Sequence, residues 1–311
     1  MKKKSILALS NRTGQNREES LHQLKTYKEE ELRINHIRHI KTKFPFFIIL
    51  LIRCIKLTNG ILIHWFKCLK CTLFPSIRYR GYCPCCNKKT LFVATDSWLR
   101  DSLRCVKCNS LPRDRQVFKY INTILKQRTD LNVLEFAAIP GAYMHDRKTK
   151  SYIISHYYPT EKFGKLDTSF YNEDIQQTTF QDNTFDLVIH EDILEHINAP
   201  FQAVLDSFRI LADNGILVFT CPIRYDGAPT KQLVSVDNSG SLIFHQPATY
   251  HGNPISANGS LVFWDFGYDF EQNLRAALPK NAELEHIIAT DDSMGISGAM
   301  LDLFCIKKLP A

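Results

Sequence analysis

The chain has 311 residues, a hydrophobic content of 44% and ten cysteines. This composition is that of a globular protein with an adequate core, and it excludes collagen-like and low-complexity chains. The length accommodates one α/β domain of about 180–200 residues together with a smaller module.

The net charge of +7 is unevenly distributed along the chain. Residues 1–80 hold 17 Lys and Arg against 5 Glu, whereas residues 121–311 hold 14 basic and 24 acidic residues. We interpret residues 1–43 as a basic, flexible arm that either faces an anionic surface, membrane or nucleic acid, or is simply solvated. The acidic C-terminal part is not expected to hold a polyanion by itself.

Residues 44–80 form a hydrophobic and basic segment that is predicted to be helical. Charged and polar residues interrupt it, so its longest apolar run is too short to span a bilayer. It is predicted either to bind a membrane surface peripherally or to dock onto the main domain. The apolar run ILAL is too short for a signal peptide, and cysteines in metal-type spacing favour a reducing compartment. We therefore expect a cytoplasmic protein, at the inner face of the membrane if this segment binds lipid.

Four cysteines have the spacing of a zinc site. Cys83 and Cys86 form one C-x2-C pair, and Cys105 and Cys108 form a second pair after 18 intervening residues. Two such pairs present four thiolates, which is the ligand set of a tetrahedral structural Zn²⁺ site. The sequence therefore predicts a zinc-binding module.

A further C-x2-C pair, Cys68 and Cys71, leaves the choice of ligands open. It lies among aromatic and leucine residues, which favours packing over metal binding, so we assign zinc to the two pairs within residues 81–118.

Two arginines follow the second of these cysteine pairs. Arg113 and Arg115 either contact a phosphate or carboxylate of the substrate or pair with acidic residues across the domain boundary.

From residue 119 to residue 311 the sequence alternates buried strands and amphipathic helices. NVLEFAA at 132–138, SYIISHYY at 151–158 and DLVI at 186–189 predict strands. Apolar residues recur at helical spacing over about 200–211, and Asn-Gly is then a stop signal before the strand ILVFTCP. This order predicts a parallel sheet covered by helices.

The phrases TFDLVI, ILEHI and RILADNG resemble the signature of class I S-adenosylmethionine-dependent methyltransferases, in particular the type 11-like group. LRCVKCNSLPRDR is similar to the end of a zinc ribbon that precedes the catalytic domain in certain bacterial methyltransferases. The resemblance implies an α/β, Rossmann-like doubly wound sheet, mostly parallel with an antiparallel last strand, behind a small zinc ribbon. It also implies S-adenosylmethionine as cofactor and a structural Zn²⁺.

The resemblance further implies where the methionine part of the cofactor binds. The turn from Glu135 to Gly141 matches a turn that is rich in glycine in the family, but here Gly141 is its only glycine. Ala137 can stand in for a glycine only if its φ stays negative. Glu191 and Asp192 follow a buried strand, where they would flank the sulfonium and amino-acid end of the cofactor.

On the adenine side, Asp174 and Ile175 match the positions that read the adenine amino group and cover the ring. The alternative for Asp174 is a surface carboxylate that closes a turn. The family usually ends the second strand with a carboxylate that binds the ribose, and none stands there in this chain.

Residues 223–262 are predicted to form an insert on the acceptor side, because loops on a rigid scaffold carry specificity. His251 in the phrase YHGNP, then His190 and His196, are the candidate bases in that order. For His196 a structural hydrogen bond is the favoured alternative. The spacing of HEDILEH excludes the H-E-x-x-H metalloprotease motif.

Together these features predict in-line methyl transfer from S-adenosylmethionine to an oxygen or nitrogen acceptor, a sugar, glycan or other small molecule. Two alternatives stay open. An RNA base methyltransferase would grip RNA with the ribbon and the basic arm. A non-catalytic zinc-binding scaffold on a degenerate methyltransferase fold would explain the missing glycines and the missing ribose carboxylate.

Overall fold

The structure is a computed structural model that describes residues 77–138, 144, 147–159, 161–252 and 259–310. The described residues belong to one compact unit, Ile61–Ala311. The predicted basic arm, most of the predicted helical segment, and Cys68 and Cys71 lie outside the described residues. Among the described residues, no helix is long and apolar enough to cross a membrane.

A small antiparallel sheet opens the described part of the chain. Its strands are β1 (Ile77–Cys83), β2 (Lys88–Ala94) and β3 (Arg104–Cys105), in that order across the sheet. Residues 77–80 are therefore strand, although they end the segment for which the sequence predicts helix. Helix α1 (Leu99–Ser102) lies between β2 and β3.

Helix α2 (Pro112–Gln127) connects the small sheet to the main domain. It starts at a proline in its first turn, and the Asp114 carboxylate accepts a hydrogen bond from the Leu111 N–H at 2.9 Å. The helix runs on past residue 118, where the sequence analysis places the end of the ribbon, so one rigid element belongs to both modules.

An eight-stranded sheet forms the centre of the main domain. Its strands are β4 (Asn132–Phe136), β5 (Ser151–His156), β6 (Gly164–Lys165), β7 (Phe170–Asn172), β8 (Phe185–Glu191), β9 (Leu211–Thr220), β16 (Ala282–Ile287) and β17 (Leu303–Lys308). Their order across the sheet is β16-β17-β9-β8-β4-β5-β7-β6. The neighbours from β9 to β7 are parallel, and β17 is antiparallel to both β16 and β9.

The chain leaves β4 in one direction, to β5 and β7, and then crosses back to β8 and β9 on the other side. Such a reversal of strand order opens a crevice at the carboxyl ends of the central strands. The predicted Rossmann-like doubly wound sheet with an antiparallel last strand is confirmed, and the crevice lies between β4 and β8.

The helix after β8 ends earlier than the sequence pattern suggests. Helix α3 spans Pro200–Arg209, and β9 already begins at Leu211. Asn214 and Gly215 therefore lie inside β9, at an irregularity where the pairing with β8 shifts register. Asn214 has φ of 61°, and a Cβ on Gly215 would meet the Ala212 carbonyl oxygen at 2.7 Å. The Asn-Gly signal thus marks a bulge in the strand and not the end of the helix.

The small sheet and the main sheet share one hydrophobic core. Phe92 of β2 and Phe118 of α2 pack in the same buried cluster as Leu187 of β8 and Val218 of β9, and all four are fully buried. Loss of order in the small sheet would therefore uncover part of the main sheet.

Short strands make up much of the predicted acceptor-side insert and the residues directly after it. The paired strands are β10 (Lys231–Gln232) with β15 (Trp264–Asp265), β11 (Val234–Val236) with β12 (Leu242–Phe244), and β13 (Tyr250–His251) with β14 (Ser260–Leu261). Helix α4 (Phe270–Ala277) follows and leads to β16. This arrangement brings His251 towards the end of β8, as described below.

A partly buried histidine links helix α4 to the antiparallel strands. Nδ1 of His286 lies 2.7 Å from Oε2 of Glu271, and its Nε2 lies 2.9 Å from Oδ1 of Asp302. Tyr225 donates to the same Asp302 oxygen. Burial lowers the pKa of His286, but Asp302 and Glu271 outweigh it, and the net pKa is raised.

We expect His286→Gln to destabilise the fold by about 2 kcal/mol at pH 6 and by clearly less at pH 9, because hydrogen bonds to charged groups are the stronger ones. Because the pKa of His286 is higher in the folded than in the unfolded protein, its protonated ring stabilises the fold. This contribution to the free energy of unfolding is fully present below the unfolded pKa of about 6.5 and is lost as the pH rises through the folded pKa. Urea denaturation at both pH values checks this. His245→Gln, at an exposed position, is the control, and equal destabilisation at the two pH values would contradict the assignment.

Candidate active site and zinc centre

The four predicted zinc ligands lie together. The Sγ atoms of Cys83 and Cys108 are 3.6 Å apart, those of Cys86 and Cys105 are 4.0 Å apart, and all four lie within 4.8 Å of one another. Thiolates arranged tetrahedrally around zinc are about 3.8 Å apart, because each Zn–S bond is about 2.3 Å long. The cluster therefore fits a Zn²⁺ ion, and its cysteines are free of disulfides.

Two asparagines shape the turns that present these thiolates. Asn87 and Asn109 each follow the second cysteine of a pair, with φ of 53° and 61°. Asparagine enters this left-handed region more readily than other residues with a side chain, so both turns form without glycine. Ser110 Oγ lies 3.4 Å from the Cys83 sulfur and 3.3 Å from the Cys108 sulfur. Such outer contacts orient metal ligands.

Glu135 lies near the carboxyl end of β4 and is buried. Its Oε2 accepts a hydrogen bond of 2.6 Å from the Tyr152 hydroxyl. Burial raises the pKa of Glu135 to about 7, and the Tyr152 hydrogen bond offsets this only in part. The group that begins the predicted cofactor turn thus titrates near neutral pH.

Ala137 does not meet the condition under which it could replace a glycine. Its φ is +51°, in the left-handed region, where a Cβ is strained. The condition of a negative φ is therefore not met, because the chain turns as it leaves β4. Gly141 lies outside the described residues.

Ala137→Gly is expected to raise the free energy of unfolding by about 0.5–1 kcal/mol, since relief of left-handed strain exceeds the added freedom of the unfolded chain. The matched control is Ala138→Gly in the same turn, whose φ is not positive, and it should lower stability by roughly 0.5–1 kcal/mol. Chemical denaturation of both variants checks this. Equal effects of the same sign would contradict the strain at Ala137.

Asp174 and Ile175 follow β7. Oδ1 of Asp174 accepts hydrogen bonds from the Gln176 N–H at 2.9 Å and from Gln176 Nε2 at 3.1 Å, so this carboxylate closes a turn. Ile175 is buried in the hydrophobic core of the main domain. At the end of β5, Ser155 and His156 stand where the family has its ribose carboxylate.

His190, near the end of β8, belongs to the core. Its ring is fully buried and stacks on Phe219 with centroids 4.9 Å apart, and among the described residues neither ring nitrogen has a hydrogen-bond partner. Burial lowers the pKa of His190 to about 3. A ring with this pKa is a weak base.

Asp192 is held by two arginines, one from helix α1 and one from helix α2. Its Oδ2 lies 2.8 Å from Arg100 Nη2 and 3.1 Å from Arg113 Nε, and Thr220 Oγ1 donates to Oδ1 at 3.0 Å. Burial by itself raises the pKa of Asp192, but Arg113 and Arg100 outweigh it and hold that pKa below its usual range. Both carboxylate oxygens are thereby occupied by protein groups.

Glu191 differs from its neighbour. Its Oε2 is buried and has no hydrogen-bond partner among the described residues. Burial raises the pKa of Glu191 well above its usual value. Of the two carboxylates predicted to flank the sulfonium, Glu191 is the one that the protein leaves with an unsatisfied oxygen.

Arg100 could not be identified from the sequence, because a single arginine in a short helix gives no sign of its contact with a residue 92 positions away. Of the two alternatives for Arg113, the structure shows pairing with Asp192 across the domain boundary. Arg115 does neither, since its fully buried guanidinium donates to the backbone carbonyl oxygens of Leu103, Ser110 and Gly295.

His196 and His251 come together from distant parts of the chain. Their ring centroids are 5.1 Å apart at an interplanar angle of 88°. Nδ1 of His196 lies 2.8 Å from the carbonyl oxygen of Leu261, 65 residues further along the chain. Beside them, burial raises the pKa of Glu195 to about 8. The structure thus joins two of the three candidate bases and places His190 in the core.

A family model described as a methyltransferase domain matches residues 151–219, from β5 to β9. Together with the strand order, this match supports a class I, S-adenosylmethionine-dependent methyltransferase domain. A search among curated proteins found no match for the chain.

The solved structures to which the chain is similar include three methyltransferases. An S-adenosylmethionine-dependent methyltransferase from Mesorhizobium loti has 15% identity and a TM-score of 0.40, over 61% of this chain and 97% of that one. The 1,6-didemethyltoxoflavin-N1-methyltransferase of Burkholderia thailandensis, solved with S-adenosylhomocysteine, has 13% identity and a TM-score of 0.39, over 64% and 79%. The N-methyltransferase NodS of Bradyrhizobium japonicum has 14% identity and a TM-score of 0.35, over 64% and 87%. At these identities the substrates of those enzymes say nothing about the acceptor of this chain.

Proposed function

We propose that this chain is a methyltransferase that moves a methyl group from S-adenosylmethionine to an oxygen or nitrogen atom of a sugar, glycan or other small-molecule intermediate. The observation that carries the proposal is the crevice at the switch point, where Glu135 and Glu191 lie on the adjacent parallel strands β4 and β8. The methyltransferase-domain match over residues 151–219 supports it.

The sulfonium of the bound cofactor supplies an already activated methyl group, so the protein mainly aligns the reactants and excludes water. In this proposal Glu135 and Glu191 face the methionine end of the cofactor, while Asp174 and Ile175 lie at the adenine. Asp192 anchors the end of β8 by its ion pairs with Arg100 and Arg113.

A base is required only if the acceptor atom carries a proton of high pKa. His251 is the first candidate, because it is exposed in the acceptor-side insert, and His196 is the second. His190 is a poor candidate, because its ring is enclosed in the core.

We also propose that Cys83, Cys86, Cys105 and Cys108 hold a structural Zn²⁺, which the sulfur distances fit. All four thiolates would be used by the metal, so the ion would have no open position for a substrate. A cytoplasmic location, with contact to the inner face of the membrane through residues 44–80, remains part of the proposal.

A second candidate function, a non-catalytic zinc-binding scaffold, is favoured by two observations. The left-handed Ala137 and the absence of a carboxylate at the end of β5 both weaken the expected cofactor contacts. Such a scaffold would bind neither S-adenosylmethionine nor S-adenosylhomocysteine.

Transfer of label from methyl-labelled S-adenosylmethionine tests the acceptor class. The protein would be incubated with separate pools of sugar nucleotides, lipid-linked glycans and structured RNA, at 50 and 200 mM salt. We expect label in a sugar or glycan pool, with little effect of salt. Label in RNA, with binding that falls by about 10³-fold or more between the two salts, would instead support the RNA methyltransferase. Absence of label in every pool would contradict the proposal and favour the scaffold.

A further inference from the structure

Three side chains meet beside the crevice, outside the set assigned to the cofactor. Glu195 and His196 lie on the 3-10 helix Leu194–His196, which follows β8 directly. His251 reaches them from β13, in the acceptor-side insert. One ligand atom from each of the three lies within 4.8 Å of the others.

Glu195 carries a buried carboxylate that the described residues leave unsatisfied. It is 2% exposed, and its Oε2 has no hydrogen-bond partner among them. Its Oε1 lies 3.7 Å from Nε2 of His196, too far for a hydrogen bond. A buried carboxylate without a partner is costly, and a bound cation is one of the few groups that offsets this cost.

His196 is oriented as metal-binding histidines usually are. Its Nδ1 lies 2.8 Å from the Leu261 carbonyl oxygen, and because a carbonyl only accepts, Nδ1 carries the hydrogen. The neutral ring then has its lone pair on Nε2, the nitrogen that faces Glu195. A backbone carbonyl that fixes the tautomer in this way is a common outer contact of metal-bound histidine.

His251 completes the set from another element. Strand β13 pairs with β14, so that His251 lies opposite Ser260, directly before Leu261, whose carbonyl orients His196. One short strand pair therefore positions both imidazoles. Their rings are nearly perpendicular, at 88°, which is compatible with two nitrogens that converge on one ion.

We propose that Glu195, His196 and His251 bind one first-row divalent metal ion, and that its open coordination positions take a hydroxyl oxygen of the acceptor. Two imidazoles and a carboxylate leave such positions open, unlike the four thiolates of the ribbon. The role for the acceptor rests on the proposed function, whereas the metal site itself does not. With the ion bound, His251 would be a ligand and not the base. A metal-bound hydroxyl would lose its proton to water more readily, and its oxygen would then form the bond to the methyl carbon as the sulfur–carbon bond breaks.

Binding of Mn²⁺ to the full chain loaded with only one equivalent of zinc tests the site, because Mn²⁺ prefers oxygen and imidazole ligands and competes poorly for thiolates. Free Mn²⁺ is counted by electron paramagnetic resonance during a titration. We expect about one bound Mn²⁺ per chain, and affinity weakened by at least about 10–100-fold in His251→Ala and in Glu195→Gln. His245→Ala, an exposed histidine of the same insert, should bind as the wild type does.

His251 is exposed, so its replacement should leave the fold intact, and near-UV circular dichroism checks that it does. Wild-type protein that binds no Mn²⁺, or a folded His251→Ala variant that binds it as tightly as the wild type, overturns the proposal.

A parallel titration with S-adenosylhomocysteine separates this proposal from the proposed function. If S-adenosylhomocysteine binds and Mn²⁺ does not, the metal site fails and the methyltransferase proposal stands. If Mn²⁺ binds and S-adenosylhomocysteine does not, the metal site stands and its role in methyl transfer fails.

Discussion

Replacement of Cys105 by serine is expected to abolish zinc binding and to destabilise the described unit as a whole. Cys105 is fully buried, and its sulfur lies 4.0 Å from that of Cys86. Structural zinc binds small domains with about 10–16 kcal/mol, as much as the entire stability of a typical domain, about 5–15 kcal/mol. Because the small sheet shares a core with the main sheet, we expect the free energy of unfolding to fall by more than half. Elemental analysis and urea denaturation measure the two effects.

Cys85→Ala is the matched control for this experiment. Cys85 is also buried and lies between the ligands Cys83 and Cys86, but it is not among the four clustered sulfurs. It should keep about one zinc ion per chain and lose about 1 kcal/mol, the cost of a small cavity. A Cys105→Ser protein that retained zinc, or that was as stable as Cys85→Ala, would contradict the zinc centre.

Asp192→Ala is expected to destabilise the protein by about 3–5 kcal/mol, because it takes from two largely buried guanidinium groups the one largely buried carboxylate that they share. The side chains of Arg100 and Arg113 are 8% and 15% exposed, so water cannot replace the lost partner. The end of β8 should also lose its anchor to the ribbon. We therefore expect weaker S-adenosylhomocysteine binding even though Asp192 itself has no free oxygen for the cofactor.

Asp101→Asn is the control that shows whether the loss of any carboxylate beside these arginines has the effect expected for Asp192→Ala. Asp101 pairs with the same two arginines, at 3.4 Å and 2.7 Å, but its side chain is 51% exposed. An exposed ion pair contributes less than about 1 kcal/mol, so this variant should be close to the wild type in stability and in binding. Similar losses in the two variants would show that Asp192 is not the anchor of the crevice.

Much of the fold could be predicted from local patterns. The strands β4, β5 and β8 are short apolar runs, and the stripe on α3 has helical spacing, so their type and order follow from periodicity. The bulge in β9 could not be predicted, because Asn-Gly ends a helix or forms a turn within a strand equally well. The neighbouring strand β8 decides between the two through its pairing with Leu211.

The site was less predictable, because its contacts join distant parts of the chain. The two cysteines of each pair are close in sequence and form a recognisable C-x2-C pattern. For this reason the cluster of four could be predicted. The meeting of His196 with His251, and of Arg100 with Asp192, depends on how the insert and the ribbon pack against the end of β8. No local pattern in the sequence indicates either contact.

The backbone at Ala137 shows a third limit of sequence reasoning. A resemblance to a glycine turn identifies the place of the turn, but the φ of a single residue follows from how the chain leaves the sheet. The strain there weakens the case for cofactor binding, while the position of Glu135 and Glu191 supports it. Direct measurement of binding therefore decides between enzyme and scaffold.

Calorimetric titration of the zinc-loaded full chain with S-adenosylhomocysteine measures cofactor binding most directly. We expect binding of about one molecule per chain with a dissociation constant in the micromolar range, about −8 kcal/mol. Glu135→Gln and Asp174→Ala should weaken it about tenfold or more, whereas Asp167→Ala, at an exposed turn, should leave it unchanged. Absence of any heat of binding in the folded wild-type protein would contradict the account.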